Sequence, residues 1–160
     1  PSPGPVLFRQ TRIGMNKQPF EMLKFRSMRV ADDNSSETVW TTSDDPRKTK
    51  FGSFLRKTSL DELPQFFNVL IGNMSLIGPR PDYYIHALEY LKDVKGYRER
   101  HAIRPGITGL SQIRLGYVES LEATTKKAFV DNYYIQNVGY IIELKIIIST
   151  IWIIIGGSGK

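Results

Sequence analysis

The chain of 160 residues is 41% hydrophobic and holds two tryptophans, the composition of a folded globule rather than a disordered tail. It has no cysteine, which excludes disulfides and thiolate metal sites, and its two histidines, His86 and His101, lie far apart in sequence, which argues against a histidine-built metal centre. A net charge of +6 favours an anionic partner, which could be nucleic acid, a phosphorylated substrate or an acidic membrane surface.

The length suits one domain over residues 1–160, since domains commonly hold about 100–150 residues. The chain opens PSPGP, with no initiator methionine and no basic and apolar leader, so no signal peptide is expected and the sequence looks like a piece of a longer protein. VLFRQTRIG and FEMLKFRSM, separated by the turn-rich MNKQP, predict a β-hairpin over residues 6–13 and 20–28. The polar stretch 31–50 shows no period and predicts a surface loop, and KFGSFLRKT predicts a short helix.

Residues 59–62, Ser-Leu-Asp-Glu, have the spacing of a capping box, although Pro64 allows the helix to begin at Asp61 or later. The apolar stretch 66–71 continues that helix, and IGNMSLIGPRPD then breaks it. Residues 82–101 predict a polar helix, HAIRPGITGLSQI an extended loop, and residues 119–136 a further helix. The closing YIIELKIIISTIWIIIGGSGK is too short for a bilayer span of ~20 apolar residues. It predicts a helix, either buried or lying in a membrane interface, in preference to a strand.

Asp61 and Glu62 sit side by side at the seam between a basic turn and an apolar helix. From the residues alone two explanations stand. Acids favour the first turn of a helix, where they offset its partial positive charge. Two adjacent carboxylates just after Arg56 and Lys57 also suit a catalytic pair.

The ordered motifs SPGPVLFRQTRIG, FEMLKFRSMR, DPRKTKFGSFLRKTSLDELPQ, MSLIGPRP, RPGITGLSQI and DNYYIQN with ELKIIISTI settle which explanation to favour. Over nearly its whole length the chain resembles the bacterial sugar transferase family, the monotopic polyprenyl-phosphate phosphoglycosyl transferases. The resemblance implies transfer of sugar-1-phosphate from a UDP-sugar to a polyprenyl phosphate such as undecaprenyl phosphate, with release of UMP. That is a first membrane step in building surface polysaccharides and glycans.

The resemblance also implies roles. Asp61 would be the nucleophile that forms a phospho-aspartate, and Glu62 a ligand of Mg²⁺. Arg80, fixed between Pro79 and Pro81, would bind phosphate, and Arg56, Lys57 and Arg104 would neutralise diphosphate or acceptor phosphate. The hairpin cations Arg9, Arg12, Lys24, Arg26 and Arg29 could do the same or face anionic lipid, but any one of them taken singly is expected to be a solvated surface charge. Three positions depart from the family: Asn73 where an acid is common, Leu110 where tryptophan is frequent, and Glu143 for an aspartate.

The implied fold is a compact α+β domain with a small hairpin and several helices. It would lie against the cytoplasmic face of the bacterial inner membrane, preceded by a re-entrant membrane helix and with room for a homo-oligomer. The competing readings are a basic nucleic-acid-binding module and a membrane-docking module without catalysis. No nucleic-acid motif or stacking platform supports the first, so nucleic acid is not an expected partner.

Overall fold

In chain order the computed structural model describes residues 4–29, 47–116 and 120–156. β1 (Leu7–Ile13) and β2 (Pro19–Phe25) pair antiparallel, with Leu7 opposite Phe25 and Ile13 opposite Pro19. A short 3₁₀ turn at Met15–Lys17 joins them, closed by Gly14 N–H donating to Gln18 O at 2.8 Å. Side chains alternate along a strand, so the side of β2 that buries Met22 at 2% exposure also carries Lys24. The predicted loop 31–50 lies outside the described residues apart from 47–50.

α1 (Lys50–Lys57) starts where predicted, with Thr49 Oγ1 accepting from Gly52 N–H at 2.9 Å. The predicted capping box does not form. Ser59 adopts a left-handed backbone (φ 56) without a side-chain cap bond, and its N–H donates to Arg56 O at 3.1 Å. It therefore ends α1 instead of starting the next helix, the conformation common just past a helix C-terminus. Leu60–Glu62 form a 3₁₀ turn, and α2 (Gln65–Leu70) follows Pro64, which is tolerated at a helix start.

The predicted extended loop after His101 contains a strand. β3 (Ser75–Ile77) pairs parallel with β4 (Gly106–Thr108), joining segments far apart in sequence. The seam is set by glycines: a Cβ on Gly109 would lie 2.1 Å from Gly78 O, and one on Gly106 would lie 2.1 Å from Gly78 N. Gly109→Ala is therefore expected to destabilise the protein by more than the ~1–3 kcal/mol usual for overpacking, because backbone rather than a flexible side chain must move. Urea unfolding checks this.

The predicted helix 82–101 divides into α3 (Tyr84–Asp93) and a 3₁₀ turn at Glu99–His101, separated by Gly96 in the left-handed region (φ 79). α4 (Leu110–Leu115), α5 (Leu121–Gln136) and α6 (Tyr140–Ile155) complete the described chain. Two apolar clusters hold the elements together. One joins Ile13 of β1, Ala87 of α3, Tyr97 and Ala128 of α5; the other joins Ile77 of β3, Leu110, Tyr134 and Ile146. The architecture is α+β, as the sequence implies.

The C-terminal segment is helical, as preferred, but only Ile146 of α6 is buried, so the buried-helix alternative does not describe it. No helix among the described residues is long and apolar enough to cross a membrane.

Candidate active site

Asp61 and Glu62 lie on the 3₁₀ turn between α1 and α2, and their surroundings differ sharply. Glu62 is clamped: Lys24 Nζ donates to Oε1 at 3.0 Å, Arg80 Nη2 to the same oxygen at 2.5 Å, and Arg80 Nη1 to Oε2 at 3.3 Å. Burial alone would raise the Glu62 pKa, but Arg80 and Lys24 outweigh it and hold the carboxyl well below the usual carboxylate range. Asp61 is 8% exposed and has no hydrogen-bond or ion-pair partner among the described residues. Burial raises its pKa, helped by the Glu62 charge and opposed by Lys24, Arg56 and Arg80. Adjacent acids in environments that push their pKa values apart are suited to different tasks.

Arg80 is aimed by its backbone. The carbonyls of Pro79, Arg80, Pro81 and Asp82 each accept a hydrogen bond: from Gly106 N–H (3.0 Å), Arg100 Nη2 (2.8 Å), Arg12 Nη1 (3.2 Å) and Ile13 N–H (3.1 Å) respectively. The proline pair restricts the conformation, and strands β1 and β4 together with the 3₁₀ turn at Glu99–His101 fix its place.

Behind it lies a buried ionic network. Arg100 binds Asp82, donates to Asp131 Oδ2 from Nε at 2.9 Å and brings Nη2 within 2.8 Å of that oxygen as an ion pair, with its side chain 1% exposed. Asp82 further accepts from Lys127 Nζ at 2.5 Å and from Tyr97 OH at 2.7 Å. Burial opposes ionisation of Asp82, yet Lys127 and Arg100 hold its pKa far below the ordinary value. His101 is pushed down to about 4 by burial and by Arg100, so it is neutral at pH 7. Burial, with Arg80 adding to it, lowers Arg12 to about 10, and it stays charged.

Of the residues singled out in the sequence, Asp61, Glu62 and Arg80 come together, and Arg56 is near enough for its charge to act on Asp61. Pro79 and Pro81 contribute carbonyls to the clamp, not side-chain chemistry. Lys57 and Arg104 are exposed, and no contact among the described residues joins them to the carboxylates. The expectation that hairpin cations are solvated fails for Lys24 and Arg12, whose partners are Glu62 and the Pro81 carbonyl. Alternation along β2 could have found Lys24, because a lysine facing the same way as a core methionine needs an acid. Asp82, Arg100, Lys127 and Asp131 had no such local signal.

A clamped carboxylate beside one with no partner among the described residues, ringed by lysine and arginine, is an arrangement chemically able to bind phosphate oxygens. The chain belongs to the bacterial sugar transferase family, whose model matches residues 1–157. It is 47% identical over 153 residues to the UDP-glucose:undecaprenyl-phosphate glucose-1-phosphate transferase of Escherichia coli (strain K12), covering 94% of this chain and 33% of that protein. It is 40% identical over 158 residues to the UDP-N-acetylgalactosamine-undecaprenyl-phosphate N-acetylgalactosaminephosphotransferase of Aeromonas hydrophila, covering 99% and 37%. The exopolysaccharide production protein PSS of Rhizobium leguminosarum bv. phaseoli is 42% identical over 159 residues, covering 94% and 78%. The chain spans about a third of the length of the first of these relatives.

Proposed function

We propose that the protein transfers a sugar-1-phosphate from a UDP-sugar to undecaprenyl phosphate in two displacements on Asp61. One observation carries this reading: of two adjacent acids, Glu62 is held by Lys24 and Arg80 while the buried Asp61 has no hydrogen-bond or ion-pair partner among the described residues. A carboxylate oxygen of Asp61 attacks the phosphorus bonded to the sugar oxygen, and the bond to the bridging diphosphate oxygen breaks, so UMP leaves with that electron pair. A phosphate oxygen of the acceptor then attacks the same phosphorus and displaces Asp61, which is restored as a carboxylate. The product is undecaprenyl diphosphate sugar. Arg80, Lys24, Arg12 and Arg56 supply the positive charge that phosphoryl transfer requires around the equatorial oxygens.

The residues present fit Mg²⁺ as a site completed by substrate phosphate. This ion usually takes one or two carboxylates plus phosphate oxygens, and among the described residues Oε2 of Glu62 has only its 3.3 Å hydrogen bond from Arg80. No group of three or more acids or histidines among the described residues forms a cage of its own. Glu62 would hold the ion, which when bound would neutralise diphosphate charge and assist departure of UMP.

The exposed apolar side chains flanking the dyad support a membrane-bound reaction. Phe51 and Phe54 on α1, Leu63, and Phe66, Phe67 and Leu70 on α2 all face outward, Leu70 at 80% exposure. Contiguous exposed apolar surface marks an interaction face, and an acceptor with a polyprenyl tail must be delivered from a bilayer. The site would face the cytoplasm, where nucleotide sugars are. Phe67→Ser with Leu70→Ser is expected to weaken binding to vesicles by about tenfold or more, since each large side chain is worth ~1.5–3 kcal/mol on burial, without loss of fold. Vesicle flotation checks it.

Ionised Asp61 is the reactive form, and its pKa is raised by burial. Activity is therefore expected to fall with decreasing pH through a midpoint above the ordinary aspartate value of about 3.9. A kcat/KM profile for UMP release measures this, and a midpoint at or below the ordinary value counts against the assignment.

The test of the function is UMP release from a panel of UDP-sugars with undecaprenyl phosphate and Mg²⁺, using the full-length membrane-inserted protein. Relatives named for glucose and for N-acetylgalactosamine make these the first donors to try. Release with one donor, dependent on Asp61, supports the proposal. Release that survives loss of Asp61 contradicts it.

A further inference from the structure

A cavity of about 790 Å³ opens between α4, the end of α5 and the first turns of α6. Its volume lies in the range of roughly 300–1,000 Å³ common for small-molecule sites. Leu110 and Ile113 line it from α4, Tyr133 from α5, and Ile141 and Ile146 from α6. Two cations also border it, Arg114 and Lys145. Both are exposed, and neither has an ion-pair or hydrogen-bond partner among the described residues. The acid closest to Lys145 in sequence, Glu143, accepts from Tyr134 OH at 3.2 Å.

Asp61, Glu62 and Arg80 do not line this cavity, so it holds neither the donor diphosphate nor the acceptor phosphate, which must reach Asp61. Its surroundings suit lipid. Tyr140 stands at the cavity 94% exposed, and α6 continues from it with outward Ile148, Ile151, Trp152 and Ile155. Tyrosine and tryptophan, each apolar in body with a polar tip, favour the boundary between lipid and water. α6 is apolar on nearly every side yet too short to span, so these outward side chains call for an apolar surrounding.

We infer that this cavity seats one anionic phospholipid of the bilayer, an acyl chain between α4 and α6 and its phosphate on Arg114 and Lys145. Charge complementarity selects the headgroup: two cations without a partner among the described residues, beside an apolar slot, match a lipid with net negative charge better than a zwitterion. The inference rests on the membrane-bound reading above, and the experiment separates the two.

The full-length protein, purified in mild detergent, is mixed with equal amounts of phosphatidylglycerol and phosphatidylcholine and examined by native mass spectrometry. One phosphatidylglycerol per chain is expected. Arg114→Gln with Lys145→Gln should cut its retention at least tenfold. Lys92→Gln with Lys95→Gln, which removes equal charge from exposed positions on and after α3, should leave it unchanged. Equal loss in both double variants, equal retention of the two lipids, or displacement by an equal amount of undecaprenyl phosphate would overturn the inference. Flotation on phosphatidylcholine vesicles tests the membrane reading separately. Protein that floats but retains no phosphatidylglycerol removes the lipid seat alone. Protein that retains it without floating removes the membrane reading and leaves the seat standing.

Discussion

Asp61→Asn is expected to lose turnover by about 10⁴-fold or more, the scale seen when a covalent nucleophile is removed. The amide matches the carboxylate in shape but cannot attack phosphorus. Folding should not suffer, because Asp61 has no partner to lose among the described residues. Stability should rise. A buried carboxyl whose folded pKa lies above its unfolded value favours the folded state when protonated, and that contribution is lost as pH rises through the folded pKa. At neutral pH the ionised aspartate therefore opposes folding, and a neutral amide removes that opposition. UMP release and thermal unfolding of the same preparation check both parts. A variant that is inactive because it is unfolded would leave the nucleophile unassigned, whereas one that is inactive and more stable has a stability-for-activity exchange at this position.

The largest loss of stability is expected from Arg100→Met, about 3–5 kcal/mol, the cost typical of breaking a buried ionic group from one side. Asp131 would lose its arginine in a site only 1% exposed, and among the described residues Asp82 would keep only Lys127 and Tyr97. The hydrogen bond to the Arg80 carbonyl would go as well, loosening the segment that aims Arg80 at Glu62. Arg100→Lys should recover only part, because one ammonium lacks the planar fork that reaches Asp82, Asp131 and the carbonyl together. Chemical denaturation measures both variants. A loss below about 1 kcal/mol for the methionine variant would mean that the network contributes little net stability.

The hairpin, α1 and the helical C-terminal segment were legible because each carries its signal locally, in alternation, a turn-rich linker or a long apolar run. Ser59 misled because the capping-box spacing is also met by a residue that closes the preceding helix, and only its left-handed backbone distinguishes the two. The β3 and β4 pairing was not legible, since strands this short have almost no period and are set by the close approach of Gly78, Gly106 and Gly109. In the site, Asp61, Glu62 and Arg80 stood out through the resemblance of their motifs. The clamp behind them did not, because Arg100 meets Asp82 and Asp131 across long stretches of chain, and nothing local marks a buried pair of that kind.

The phospho-aspartate itself gives the most direct test. The full-length protein is mixed with its UDP-sugar without acceptor, quenched in acid, and analysed by intact mass and peptide mapping. The expected result is one sugar-phosphate per chain, carried on Asp61, absent from Asp61→Asn and discharged when undecaprenyl phosphate is added. Turnover without any such adduct, or an adduct on another residue, would contradict the central claim.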